Sequence, residues 1–247
     1  MKKVVLVTGG ARGIGKAIAD TFLKNDYVVV VNYNSSVDRA ENFEKELKNT
    51  SYEYMFVKAD VSSEEEVKSM VDFIMKKYGR IDVLINNSAV TNDSMFQDKT
   101  AKTFRKVLDT NLVGAFNVSK LVGDIMYKQG SGKIINISST NGINTYYPMC
   151  TEYDASKAGL ISLTHNLAIQ FAPFVTVNAI APGFIATESE LDGMDEEILK
   201  MESEKVFLKR PGSEQDVANL VKFLASDESN YINNEVIRID GGLYGNY

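Results

Sequence analysis

Tyr153 and Lys157 stand four residues apart in the run Tyr153-Asp154-Ala155-Ser156-Lys157. On a helix that spacing puts both side chains on one face, one turn apart. A free phenol has a pKa near 10. An ammonium beside it favours the phenolate and lowers that value, so Tyr153 can give up a proton near neutral pH and take it back in reverse. Other acid–base candidates are scarce, since 247 residues contain one histidine, His165, and one cysteine, Cys150. That scarcity argues against a zinc site, a Ser-His-Asp triad and an internal disulfide, and no metal site is expected. A Tyr-x-x-x-Lys pair alone is common on helices. This one follows a β-branched run ending Ile137-Ser138-Ser139, and a glycine cluster stands near the start of the chain.

The cluster is Thr8-Gly9-Gly10-Ala11-Arg12-Gly13-Ile14-Gly15, between the apolar run Val4–Thr8 and the amphipathic stretch Ile14–Lys24. Glycines accept positive φ and let a phosphate approach the backbone, and a helix N-terminus offers it free N–H groups. A strand before and a helix after are the setting a dinucleotide site requires. The second apolar run ends Val31-Asn32-Tyr33-Asn34-Ser35-Ser36. A site specific for NAD commonly has a carboxylate there for the ribose 2′-hydroxyl. Here there is none to repel a 2′-phosphate, and Arg12, Ser35 and Arg39 stand nearby. The expectation is NADPH in preference to NADH, held by Thr8, Gly9, Arg12, Gly13, Ile14, Gly15, Asn32 and Ser35. Solvated surface charge is the competing reading of Arg12 and Arg39.

These residues need a frame. Short β-branched runs at Val4–Thr8, Tyr27–Asn32, Tyr52–Lys58, Val83–Asn86, Lys133–Ser138, Val175–Ala179 and Val236–Asp240 read as buried strands. Between them Ile14–Lys24, Val37–Leu47, Glu64–Tyr78, Thr103–Met126, Tyr153–Phe171 and Glu214–Ala225 read as helices. In Ser62-Ser63-Glu64-Glu65-Glu66 a serine cap and first-turn acids mark one helix start rather than a metal site. Such alternation predicts right-handed crossovers and a doubly wound, seven-stranded parallel sheet with helices on both faces, in one α/β domain over 1–247. The stretch 184–211 breaks the rhythm, with Gly193 and Pro211-Gly212 as punctuation. It is expected to be a lid; a surface excursion with a short helix or two is the alternative.

Hydrophobic residues at 44% and charged residues at 24% exclude a disordered or collagen-like chain. A formal charge of −6 gives no electrostatic case for nucleic acid or an anionic membrane. The apolar run Val4–Val7 is too short for a signal-peptide core, and no window approaches a membrane span. A cytoplasmic protein is expected.

In order along the chain, Thr8-Gly9, Gly13-x-Gly15, Ala59-Asp60-Val61, Asn86-Asn87, Asn111, Ser139, Tyr153 with Lys157, Asn178 and Pro182-Gly183 resemble the motifs of the short-chain dehydrogenase/reductase family. The likeness covers essentially the whole length. It implies an oxidoreductase in which Tyr153 is the general acid in reduction. Lys157 lowers its pKa and holds the nicotinamide ribose. Ser139, or Ser138 one place earlier, binds the substrate carbonyl, and Asn111 holds a relay water. Asp60 and Val61 contact the adenine, and Asn86 and Asn87 line the cofactor cleft. Pro182, Gly183, Ile185 and Thr187 close over nicotinamide and phosphates. The resemblance also implies a homotetramer pairing the helices Thr103–Met126 and Tyr153–Phe171.

Within the family the chain most resembles reductases of 3-oxoacyl groups on acyl carrier protein, through Asp109-Thr110-Asn111-Leu112, Pro182-Gly183-Phe184-Ile185-Ala186-Thr187 and Ile239-Asp240-Gly241-Gly242. Three departures bear on substrate. Ser88-Ala89 replaces the usual Ala-Gly, and the stretch between Ser139 and Tyr153 is one residue longer. Gln129-Gly130-Ser131 and Ala172-Pro173-Phe174 stand where basic residues that greet an acidic carrier are expected, although Lys128, Lys133, Lys209 and Arg210 could compensate. A free ketone, sugar or polyol is therefore the alternative substrate. A non-catalytic dinucleotide-binding scaffold is disfavoured because it need not keep Ser139, Tyr153 and Lys157 together. A sugar-nucleotide epimerase usually needs more chain after Pro182. Cys150 either lines the pocket or is simply a small loop residue, without a redox role. His165 is expected to pack, and Tyr244 and Tyr247 to serve packing or subunit contact.

Overall fold

The computed structural model describes residues 2–144, 146–192 and 194–242, so Thr145, Gly193, Tyr244 and Tyr247 lie outside it. Seven strands form one parallel sheet in the order β3-β2-β1-β4-β5-β6-β7. They are β1 (Val4–Val7), β2 (Val28–Tyr33), β3 (Tyr54–Lys58), β4 (Val83–Asn86), β5 (Gly132–Ile137), β6 (Val175–Pro182) and β7 (Val236–Ile239). Val4–Val7 and Val28–Asn32 are buried throughout, because helices cover both faces and the runs need no polar side. One apolar layer packs Ile18, Phe22 and Val221 beneath the sheet, and the opposite layer packs Met70, Val118 and Met126.

The helices are α1 (Gly13–Leu23), α2 (Val37–Leu47), α3 (Glu64–Tyr78), α4 (Ala101–Leu108), α5 (Gly114–Gln129), α6 (Thr151–Gln170), α7 (Glu188–Leu191), α8 (Glu196–Glu204) and α9 (Glu214–Leu224). Crossovers from β1 run one way along the sheet and those from β3 the other. The reversal between β1 and β4 opens a crevice above their C-terminal ends, where ligands of such sheets sit.

Two departures from the expected boundaries bear on the site. The helix expected over Thr103–Met126 is broken between α4 and α5 by a π turn at Asp109–Val113, the kind of bulge that recurs at functional positions. β6 continues to Pro182, with Ala179 to Pro182 paired to β7. The stretch 184–211 holds two short helices, α7 and α8. A bridge between Ile185 and Gly212 closes its base.

Candidate active site

The glycine loop leaves β1 and enters α1 with Gly9 at φ 61° and Gly13 at φ 54°, where a side chain would be strained. A Cβ on Gly15 would lie 2.3 Å from Gly9 O and 2.6 Å from Asn87 Nδ2, so only glycine fits. The N-termini of α3, α4 and α9 are capped by Ser63, Thr100 and Ser213. By contrast, no side chain caps α1, and its first turn holds no acid. Its free N–H groups and positive dipole end face the crevice. Arg12 is exposed, and among the described residues its guanidinium makes no ion pair. Backbone cradle, uncapped helix and idle cation together suit a dinucleotide phosphate.

Several expected cofactor contacts turn out to build the cradle. Thr8 Oγ1 accepts from Asn87 N (3.0 Å) and Ser88 N (3.1 Å). Asn87 Nδ2 donates to Thr8 O and Gly9 O, both at 3.0 Å. Asn32 is buried, accepts from Gly9 N at 3.4 Å and donates to Ala59 O at 3.0 Å. Its amide therefore joins the ends of β1, β2 and β3 instead of reaching outward. Asn86, expected at the cleft, is buried and donates to Ser119 Oγ and Asn136 Oδ1, both at 2.8 Å. Asp60 accepts from Ser62 N at 2.9 Å and Ser62 Oγ at 2.7 Å. Burial alone would raise its pKa, but hydrogen bonds from Ser62 and Asn34 hold it below the ordinary value. Val61 is buried, packed where a Cβ on Gly114 would fall. Ile14 is half-buried, Ser35 is exposed at the rim, and Arg39 makes a bidentate pair with Glu188 at 2.9 Å.

On the other side of the crevice, Pro182 is buried, and Gly183 N donates to Ile239 O at 3.0 Å. A Cβ on Gly183 would strike Asp240. Ile185 is buried and Thr187 half-buried at the base of the stretch 184–211.

The proton-handling residues converge on the first turns of α6. Lys157 Nζ is buried, donates to Ile137 O at 2.7 Å and lies 5.4 Å from the centre of the Tyr153 ring. Burial pushes its pKa down to about 8. Ser138 Oγ is consumed by a bond to Lys157 O at 2.9 Å. Ser139 Oγ instead accepts from Asn141 N at 3.2 Å, which leaves its hydroxyl proton to give. The two serines are thereby distinguished, and Ser139 is the one able to bind a carbonyl. Asn111 sits in the π turn with both amide hydrogens used, on Val90 O and Ser156 Oγ at 3.0 Å, while its Oδ1 accepts from Val90 N at 2.8 Å. The side chain so engaged can take a water only through the second lone pair of Oδ1.

Cys150 donates to Asp93 Oδ1 at 2.7 Å, and burial followed by that carboxylate pushes its thiol up to about 12. It stays protonated and inert. His165 pairs with Asn234 Oδ1 at 2.6 Å. Sequence reasoning missed a buried ion pair beside Tyr153, Lys99 Nζ to Glu152 Oε2 at 2.7 Å. No motif flags either residue; only the adjacency of Glu152 to Tyr153 could have drawn attention to it.

A family model described as short chain dehydrogenase matches residues 3–197. A Staphylococcus epidermidis protein named 3-oxoacyl-(acyl-carrier-protein) reductase FabG is 39% identical over 245 residues, covering 99% of this chain and 100% of the relative. A 3-oxoacyl-(acyl-carrier-protein) reductase of Synechocystis sp. is 39% identical over 243 residues, covering 98% of this chain and 96% of the relative. Among solved structures, one described as ElxO with NADP bound matches with a TM-score of 0.89 at 36% identity, covering 98% of each chain.

Proposed function

The chain belongs to the short-chain dehydrogenase family, and from that premise we propose that it is an NADPH-dependent reductase of 3-oxoacyl thioesters carried on acyl carrier protein. The observation that carries the reading is the buried Lys157 beside the Tyr153 ring, together with a Ser139 hydroxyl left to donate and a glycine cradle built around Gly15. The names of the full-length relatives point to the carrier-linked substrate, and the NADP-bound neighbour to the cofactor.

NADPH bound in the crevice supplies the hydride. The N–H groups at the start of α1 would hold its pyrophosphate, and the Arg12 guanidinium, with the Ser35 hydroxyl at the rim, would meet the 2′-phosphate. Asp60 and Val61 wall the adenine side. Pro182, Gly183, Ile185 and Thr187 cover the nicotinamide side. Ser139 donates a hydrogen bond to the substrate carbonyl oxygen. Tyr153 transfers its phenolic proton to that oxygen as negative charge builds there. Lys157, buried beneath the tyrosine's turn, stabilises the phenolate left behind and favours the transfer. Asn111 fixes the π turn against Val90 and Ser156, and a water on Oδ1 leads a proton back to Tyr153.

A reductase for a free ketone is the second reading, and specific observations favour it. Gln129 is committed to Ile81, donating to its carbonyl at 2.8 Å. Arg210 is paired with Asp216 at 2.9 Å, and Lys133 is buried. Few free cations thus remain to steer an acidic carrier. We further place the enzyme in the cytoplasm as a homotetramer. Exposed Phe116 on α5 and Ile169 on α6 support contact between those helices, and sedimentation measures it. The substrate test is NADPH oxidation with acetoacetyl-CoA, a carrier-linked 3-oxoacyl thioester and a panel of free ketones, with NADH in parallel. Turnover of thioesters with NADPH well above NADH is expected. Turnover of free ketones alone overturns the carrier reading.

A further inference from the structure

The first turn of α6 is held by buried polar contacts that the proton transfer does not use. Glu152, next to Tyr153, has a fully buried side chain, and the Lys99 side chain that meets it is 6% exposed. Lys99 Nζ also donates to Asn92 O at 2.9 Å and Met149 O at 2.8 Å, while Asn92 Nδ2 donates to Glu152 Oε1 at 2.9 Å. One ammonium thus ties together the loop after β4, the turn before α6 and the helix start that carries Tyr153. On the far side of the tyrosine, Asp154 accepts from Asn141 Nδ2 at 2.7 Å and Tyr147 N at 3.1 Å.

Taking two charges out of water is costly, and a buried pair is weak evidence of added stability. Its placement is more telling. It pins the loop after β4 and the turn before α6 to the helix start bearing Tyr153. We propose that Lys99 and Glu152 are a positioning pair for Tyr153, fixing the orientation of its turn and cancelling each other's field at its hydroxyl. This rests on Tyr153 being the proton donor. With the ammonium removed, the remaining carboxylate opposes phenolate formation. With the carboxylate removed, the remaining ammonium assists it. A purely structural role has no reason to produce opposite signs.

The test uses the full chain labelled with ring-13C tyrosine in the presence of NADP+, with the Tyr153 signal assigned by Tyr153→Phe. The phenol titration midpoint rises in Lys99→Met, falls in Glu152→Gln and returns to within about 0.3 unit of the original in the double variant. All three variants lose roughly tenfold or more in kcat with acetoacetyl-CoA while KM for NADPH stays within about twofold, because misplacement of the reacting group costs rate and not cofactor binding. Unmoved midpoints, or single variants that shift the same way, overturn the proposal. If one single variant does not fold, the other decides with the charge-neutral double variant: a midpoint shifted in its predicted direction that returns in the double variant supports the pairing, and an unshifted midpoint overturns it. Undiminished turnover in Tyr153→Phe refutes the proton-donor reading separately, and the titrations do not depend on turnover.

Discussion

Asn32→Asp is the substitution that cofactor logic suggests for converting the chain to NADH, and the structure predicts that it fails. Asn32 is 1% exposed, with Nδ2 donating to Ala59 O at 3.0 Å and Oδ1 accepting from Gly9 N at 3.4 Å. An aspartate keeps the acceptor toward Gly9 but turns a second oxygen on the Ala59 carbonyl. A buried group left unsatisfied costs about 1–3 kcal/mol, and more when charged; an uncompensated buried charge costs about 3–5 kcal/mol. Taking about 3 kcal/mol, and about 2–4 °C of Tm per kcal/mol for a chain of this size, Tm falls by roughly 6–12 °C. The new carboxyl has its pKa raised by burial, so the cost is full above that pKa and recedes as pH falls, when the protonated acid can donate to Ala59 O. Thermal unfolding followed by circular dichroism near pH 8 and near pH 5, with fluorescence titrations of NADPH and NADH, measures both effects. A variant with undiminished Tm that now prefers NADH would refute the placement of Asn32.

Arg12→Ala removes the idle cation beside the phosphate cradle; losing one charge-assisted hydrogen bond of about 1.5–3 kcal/mol weakens NADPH roughly tenfold to a hundredfold and leaves NADH binding unchanged by titration. Gly15→Ala puts a methyl 2.3 Å from Gly9 O, so the loop must shift and both dinucleotides lose measurable affinity in the same assay. Burial lowers the pKa of Lys157 to about 8, so its charge destabilises the fold fully below that pH and less as pH rises toward the unfolded value. Lys157→Met is accordingly expected to retain its Tm at neutral pH while turnover nearly vanishes, and calorimetry beside kinetics checks this. In the unsubstituted enzyme, reduction declines as pH rises through about 8, because the cation that stabilises the phenolate is then lost.

The layered sheet was legible because both faces of Val4–Val7 and Val28–Asn32 are buried, which leaves continuous apolar runs in the sequence. The glycine loop and the Tyr153–Lys157 turn were legible because each depends on local spacing. What was not legible depends on distant partners. Asn32 looks like the residue that would meet the ribose, yet Gly9 and Ala59 claim its amide. The π turn at Asp109–Val113 leaves no mark in a sequence that reads as one helix, since it is held through Asn111 by Val90 and Ser156. Ser138 and Ser139 are adjacent and chemically identical, and only the bond of Ser138 to Lys157 O separates them. Lys99 and Glu152 stand far apart in the chain, in segments where charge ordinarily means solvent.

In this mechanism Tyr153 delivers the proton while the cradle at Gly15 and Arg12 holds NADPH. The most direct test is NADPH oxidation with a 3-oxoacyl thioester by the unsubstituted enzyme and by Tyr153→Phe, with NADPH affinity measured on both by fluorescence. Loss of turnover by about a thousandfold with NADPH affinity preserved is the predicted result. Undiminished turnover in Tyr153→Phe would contradict it.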